Sequence, residues 1–383
     1  MNNLSKTNNF ISSFTGLRGI SAVIIAFFWH YQQLTLTPPH LYSIFYPFYA
    51  FGEGVVELFF LISGFVMVLS YQEKILSKYS FKKYILKRIL HFYPAFFISM
   101  FVVSFLQLAY LKFSNSTFIY EPFDALHVFL ALVLQLPGLF FVHVPINGPA
   151  WCLSIEFYLY IILYLIIVGT NKAFSSSRKM LPFFYLILSL LSILLFLPYS
   201  STTPFINHHT SRGFICFFFG CFLCCCYKYY LTQSVSKKTN TILNICIITA
   251  ILGLLLILIS FGLLSKEHRI ISRLIEMLLI FPLIIWLSVN CQPIYKLLSI
   301  KPLIFLGNIS LDIYIWHFPV ELLFKVSEHK FNLNLDYSSV TVWLCYCFTV
   351  LLAAYASNLL FSSLKSTASK IISSSRFANT SKS

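Results

Sequence analysis

The sequence predicts an all-α, polytopic membrane helix bundle, and three observations point there. Mean hydropathy is +0.81. Hydrophobic residues make up 58% of the chain and charged residues only 10%. Apolar segments of about twenty residues, the length that crosses a hydrocarbon core as a helix, recur from end to end. A soluble chain of 383 residues could not bury so much apolar surface. The net charge of +15 comes from short basic runs between apolar segments, which reads as contact with anionic headgroups and excludes nucleic acid as a partner.

Ten spans are expected, at 14–36, 51–71, 89–111, 151–168, 181–198, 213–231, 241–264, 270–289, 302–325 and 340–361. An eleventh apolar stretch, Leu126 to Leu136, stops short at Pro137-Gly138 and reads as part of a re-entrant segment over 126–144. The densest basic run, with Lys74, Lys78, Lys82, Lys83, Lys87 and Arg88, belongs in the cytoplasm by the positive-inside rule. The runs at Lys172 to Lys179 and Lys228 to Lys238, and the tail from Lys365 to Lys382, then fall on the same side. Both termini are therefore expected to be cytoplasmic. The expected organisation is an N-terminal segment (1–13), a transmembrane domain (14–361) and a polar, disordered cytoplasmic tail (362–383).

The ten cysteines sit mostly inside apolar stretches, where they read as small hydrophobes rather than a disulfide framework. No spacing suggests a metal site. The N-terminus lacks an A-x-A cleavage site, so the first apolar run is expected to be retained.

Ionisable side chains at membrane depth are costly and point to function. His30 ends the run Gly16 to Tyr31, His317 ends a similar run, and Glu156 lies inside WCLSIEFYLY. Two imidazoles and a carboxylate suggest proton-transfer chemistry. The topology puts these three and Arg212 toward the outer face, with Arg18, Lys87 and Arg88 toward the inner one. His30 would lie about 18 Å beyond Arg18 at 1.5 Å rise per residue. Each reading has a structural competitor. The histidines could bond neighbouring helices or anchor the interface, the arginines could serve as positive-inside anchors, and Glu156 could pair with Arg212. Glu57 is a candidate second acid, Ser63-Gly64 read as small residues at a helix contact, and His208-His209 are expected in an outer loop.

Six segments, in order, carry a resemblance. They are GLRGISAVIIAFFWHY, GVVELFFLISGF, LKRILHFYPAFF, NGPAWCLSIEFYLY, SRGFICFFFG and KPLIFLGNISLDIYIWHFPV. Together they resemble the acyltransferase family 3 proteins, transmembrane acyltransferases that include surface-sugar O-acetylases. The resemblance implies transfer of an acyl group, usually acetyl, from cytoplasmic acyl-CoA to a hydroxyl of a cell-surface carbohydrate or glycolipid. The setting it implies is a multi-pass protein of a bacterial plasma membrane. Arg18 and His30 match the family's signature pair, Arg88 its R-Y-P segment, and Trp151, Ser154 and Glu156 its W-S-L-S-x-E segment, with Cys152 replacing the first serine. The implied roles are catalysis by His30, Glu156 and His317, donor contacts from Arg18 and Arg88, and acceptor contacts from Trp151, Ser154 and Arg212. In the mechanism expected here, His30 takes the acceptor proton and Glu156 steadies its imidazole. A proton-coupled transporter or flippase, or acylation of a non-carbohydrate acceptor, are the alternatives.

One departure is structural. The family pattern places ten residues between the arginine and histidine of span one, and this chain has eleven. In a regular α-helix the extra residue leaves His30 about 120° away from Arg18; a π-bulge would absorb it.

Overall fold

A computed structural model describes residues 11–35, 38–114, 146–196, 207–260 and 269–374. The expected re-entrant segment at 126–144 falls outside the described residues. Among those described there is no β-strand. Among the described residues nine helices are long and apolar enough to span a membrane, ten if one bent pair counts as a single span. Each of the ten spans read from hydropathy has its counterpart.

Span one is α1 (Ser12–Ile24), continued by a π-turn (Ile25–Trp29) and a 3-10 turn (Tyr31–Leu34). After the short α2 (Tyr46–Phe51) come α3 (Val55–Leu76) and α4 (Phe81–Ser114). A 3-10 turn at Gly148–Ala150 leads into α5 (Trp151–Ala173), followed by α6 (Ser177–Phe196), α7 (His208–Thr232) and α8 (Lys237–Ser260). Span eight combines α9 (Arg269–Ile275), a π-turn (Glu276–Ile280) and α10 (Phe281–Asn290). The chain closes with α11 (Gln292–Leu298), α12 (Lys301–Asn308), α13 (Ser310–Phe331) and α14 (Val340–Ser374). The last helix continues through Ser374, so the polar stretch after 361 begins as helix rather than as a disordered tail.

The 302–325 span, expected as one helix, is broken. The axes of α12 and α13 meet at 63°. The break follows from a close crossing. A Cβ on Gly307 would stand 1.9 Å from the Thr15 carbonyl oxygen, and one on Gly19 would stand 2.6 Å from the Gly307 amide nitrogen. Small residues let the α1 and α12 backbones touch, the usual packing solution where lipid supplies no hydrophobic drive between helices. Ser310 ends the interruption by donating its hydroxyl to the Gly307 carbonyl. A second such contact joins α3 to α7, where Gly64 faces the Phe217 carbonyl and Gly220 the Leu61 carbonyl.

Proline 319 lies inside α13 and has no N–H for the carbonyl four residues earlier. That carbonyl, on Ile315, accepts instead from Asn147 Nδ2 at 3.3 Å. A backbone acceptor freed at membrane depth must find a donor, and the loop before α5 supplies it. Tyr314 tightens the same joint by donating its hydroxyl to the Pro149 carbonyl. The start of α5 is thereby fixed against the middle of α13.

Candidate active site

The π-turn at the end of span one absorbs the eleventh residue. The His30 amide bonds the Ile25 carbonyl five residues back at 2.9 Å. Taking up one residue in a wider turn brings His30 to about 20° from the Arg18 direction instead of about 120°. His30 then meets His317 on α13, with ring centroids 4.7 Å apart. His317 is fully buried, and among the described residues neither of its ring nitrogens makes a well-formed hydrogen bond, only weaker approaches to the Ile313 and Tyr314 backbone; His30 Nδ1 is also without one. Buried polar atoms are nearly always satisfied, so three unpaired imidazole nitrogens side by side point to a site that receives a polar group. Tyr314, one turn earlier on α13, lies 5.7 Å from the His317 ring.

Next to this pair is a cavity of about 120 Å³, lined by Arg18, Arg88, His91, Glu156, Tyr160 and Tyr314 among others. The topology read from the basic loops put Glu156 toward the outer face and the cations toward the inner one. The structure corrects this. Glu156 occupies the second turn of α5 and faces the same cavity as both arginines. Its carboxylate accepts from Tyr160, four residues along the same helix face, and no hydrogen bond joins it to either imidazole. The expected Glu156–His30 pairing is therefore absent. Tyr314 is what the cavity and the histidine pair share.

Among the described residues the two arginines have no ion-pair partner. Arg18 has no ion pair or hydrogen bond with any described residue. Arg88 donates to the Tyr71 hydroxyl at 2.7 Å and to the Met67 sulfur at 3.5 Å, and its Nε is buried without an acceptor. Its guanidinium lies over the rings of Tyr71 and Tyr160. Tyrosine faces stabilise a cation without neutralising it, so the charge remains available to an anion.

Arg212 is different. It bonds Glu57 at 2.6 Å and approaches Glu53 at 3.7 Å. Arg273 completes the cluster, 2.8 Å from Glu53, 3.2 Å from Glu276 and 3.9 Å from Glu57. This network ties together the ends at which α3, α7 and α9 begin. The partner of Arg212 is Glu57, not Glu156. Glu57, read as a possible second acid, is the counter-charge. Trp151 stacks beside the same network, 5.2 Å from the Arg212 guanidinium and 4.3 Å from the His209 ring. His208 and His209 are the first turn of α7 rather than loop residues, held by an Asn207–Thr210 capping box. Ser154 is fully buried with its hydroxyl unpaired.

Three residues escaped the sequence reading. Tyr160 and Tyr314 are two of 23 tyrosines and carry no charge to mark them. Ser63, read as a small packing residue, pairs its hydroxyl with Tyr160 at 2.8 Å and lines the cavity. All ten cysteines are free, and among the described residues no cluster of three or more His, Cys, Asp or Glu could hold a metal ion.

Among the described residues, a membrane helix bundle thus brings two buried histidines, a carboxylate and two arginines without ion pairs into one neighbourhood. The acyltransferase 3 family profile, described as an acyltransferase domain, matches residues 11–359, and the chain belongs to that family. It is therefore a multi-pass membrane acyltransferase. A protein of Acidianus two-tailed virus named "Putative acetyltransferase ORF330" is 29% identical over 313 residues, covering 81% of this chain and 83% of that protein. No solved structure matches.

Proposed function

We propose that the protein moves an acyl group, acetyl in the simplest case, from cytoplasmic acyl-CoA to a hydroxyl of a cell-surface carbohydrate or glycolipid. The observation that carries the reading is one juxtaposition. Two arginines without an ion-pair partner among the described residues open into a cavity whose wall, Tyr314, touches a buried pair of unsatisfied histidines. Arg18 and Arg88 would hold CoA phosphates through charge-assisted hydrogen bonds. The pantetheine arm, roughly 15–20 Å long, matches the rise from Arg18 to His30 at 1.5 Å per residue. The apolar part of the cavity, from Phe59, Ile62, Met67 and Leu153, suits the thioester end.

An acceptor hydroxyl is a weak nucleophile until a base takes its proton. His30 serves as that base, with His317 against it to receive or share the proton. The acceptor oxygen then bonds the acyl carbon, the carbon–sulfur bond breaks, and the thiolate of CoA takes a proton. The imidazolium formed at the histidine pair is the source of that proton, and the Glu156 carboxylate faces the cavity beside the arginines. The reaction consumes no net proton. Trp151, at the same end of the bundle as the histidines, offers an aromatic face for a sugar ring. Both termini lie in the cytoplasm in this arrangement, as the basic loops require.

Protein reconstituted in nanodiscs should bind radiolabelled acetyl-CoA and pass the label to an envelope glycan fraction. Envelope glycans from a deletion strain should lack esters present in the parent. Label found on envelope protein with glycan esters unchanged would replace the carbohydrate acceptor with a protein one. Absence of acetyl-CoA binding would remove the donor assignment.

A further inference from the structure

Arg88 and Glu156 face one cavity in a low-dielectric interior, yet they form no ion pair. Opposite charges in such a medium attract, and one side chain contacts both. Tyr160 lies between them. Its hydroxyl donates to Glu156 and meets the Ser63 hydroxyl at 2.8 Å, while its ring centre lies 5.7 Å from the Arg88 guanidinium. Its own position is fixed, because the Tyr84 hydroxyl donates to the Tyr160 carbonyl at 3.0 Å and the side chain is buried in the core. On the other side Tyr71 holds Arg88 by hydrogen bond and ring face.

We propose that Tyr160 is a positioning residue that prevents Arg88 and Glu156 from neutralising each other, so that both stay available to the acyl donor. The proposal rests on the reading of this cavity as the donor site. Without the Tyr160 hydroxyl, the Glu156 carboxylate loses its donor, and the guanidinium lining the same cavity, with a buried, unfilled Nε, becomes open to it. The cavity would then lose its cationic grip and its carboxylate in one step.

This predicts an unusual pattern of coupling. Tyr160→Phe keeps the ring and removes only the hydroxyl. It should weaken acetyl-CoA binding about tenfold, the loss of one charge-assisted contact. Glu156→Gln alone should lower turnover while changing acetyl-CoA binding little, because the phosphate grip belongs to Arg88 and glutamine cannot capture it. The double variant should therefore bind within about twofold of Glu156→Gln. Turnover should stay low in every variant. A purely structural Tyr160 would leave the double variant as weak as Tyr160→Phe, and that result overturns the proposal. If Tyr160→Phe does not fold, Ser63→Ala removes the other partner of the same hydroxyl. It should weaken binding about threefold, again reversed by Glu156→Gln. Wild-type protein that binds no acetyl-CoA overturns the donor-site reading and this proposal with it. Wild-type binding with unaltered affinity in Tyr160→Phe or Ser63→Ala overturns this proposal alone.

Discussion

Replacing Arg212 by methionine separates a structural arginine from a substrate-binding one. The side chains of Arg212 and Glu57 are 5% and 0% exposed, and their ion pair measures 2.6 Å. Glu57 Oε2 already lacks a partner. Removing the arginine strands a buried carboxylate, which costs roughly 3–5 kcal/mol for a buried pair broken on one side. Arg273 remains 3.9 Å from Glu57 and can move closer, so the lower end of that range, about 3 kcal/mol, applies. Equilibrium unfolding in mixed micelles measures this directly. The companion variant Arg212→Met with Glu57→Leu removes both charges and should recover most of the loss, because apolar replacement of a buried pair is often neutral. Turnover per folded molecule should fall far less than stability does. An Arg212→Met protein of normal stability but deficient in acceptor affinity would refute the structural assignment.

Further outcomes follow from the packing and the site. Gly307→Ala places a methyl 1.9 Å from a backbone oxygen and should sharply reduce folded yield, read by fluorescence-detection size exclusion. Gly169→Ala, with nothing within 4 Å, should be neutral or stabilising by up to about 1 kcal/mol. Deleting Ala26 should convert the π-turn to an α-turn with His30 still in register and turnover within about tenfold of wild type. Inserting an alanine there instead turns His30 by about 100° and should cost at least roughly 10²-fold in turnover. Arg18→Ala should weaken acetyl-CoA binding by about 1.5–3 kcal/mol, measured by filter binding.

Much of the fold was legible because membrane insertion writes itself into local sequence. Apolar runs of spanning length gave all ten spans, and the spacing of Arg18 and His30 gave a reason to look for a π-turn. The candidate residues Arg18, His30, Arg88, Glu156 and His317 were visible as polar atoms in apolar company. Their pairings were not. Which carboxylate meets Arg212 depends on how α3, α7 and α9 pack, and Glu57 lies 155 residues away from it in sequence. The break between α12 and α13 needed the approach of α1, since an isolated Gly307 in an apolar run does not announce a backbone contact. Tyr160 and Ser63 were hidden for a simpler reason. Uncharged hydroxyls in a tyrosine-rich chain gain meaning only from what they separate.

The central claim is that His30 takes the acceptor proton at a place distinct from the arginine grip on the donor. Single-turnover transfer from radiolabelled acetyl-CoA by His30→Ala in nanodiscs, alongside its acetyl-CoA affinity, tests it most directly. The expected result is a loss of at least roughly 10²-fold in the transfer rate with donor affinity nearly unchanged. Folded His30→Ala protein that transfers at the wild-type rate would contradict the claim and move the base to His317.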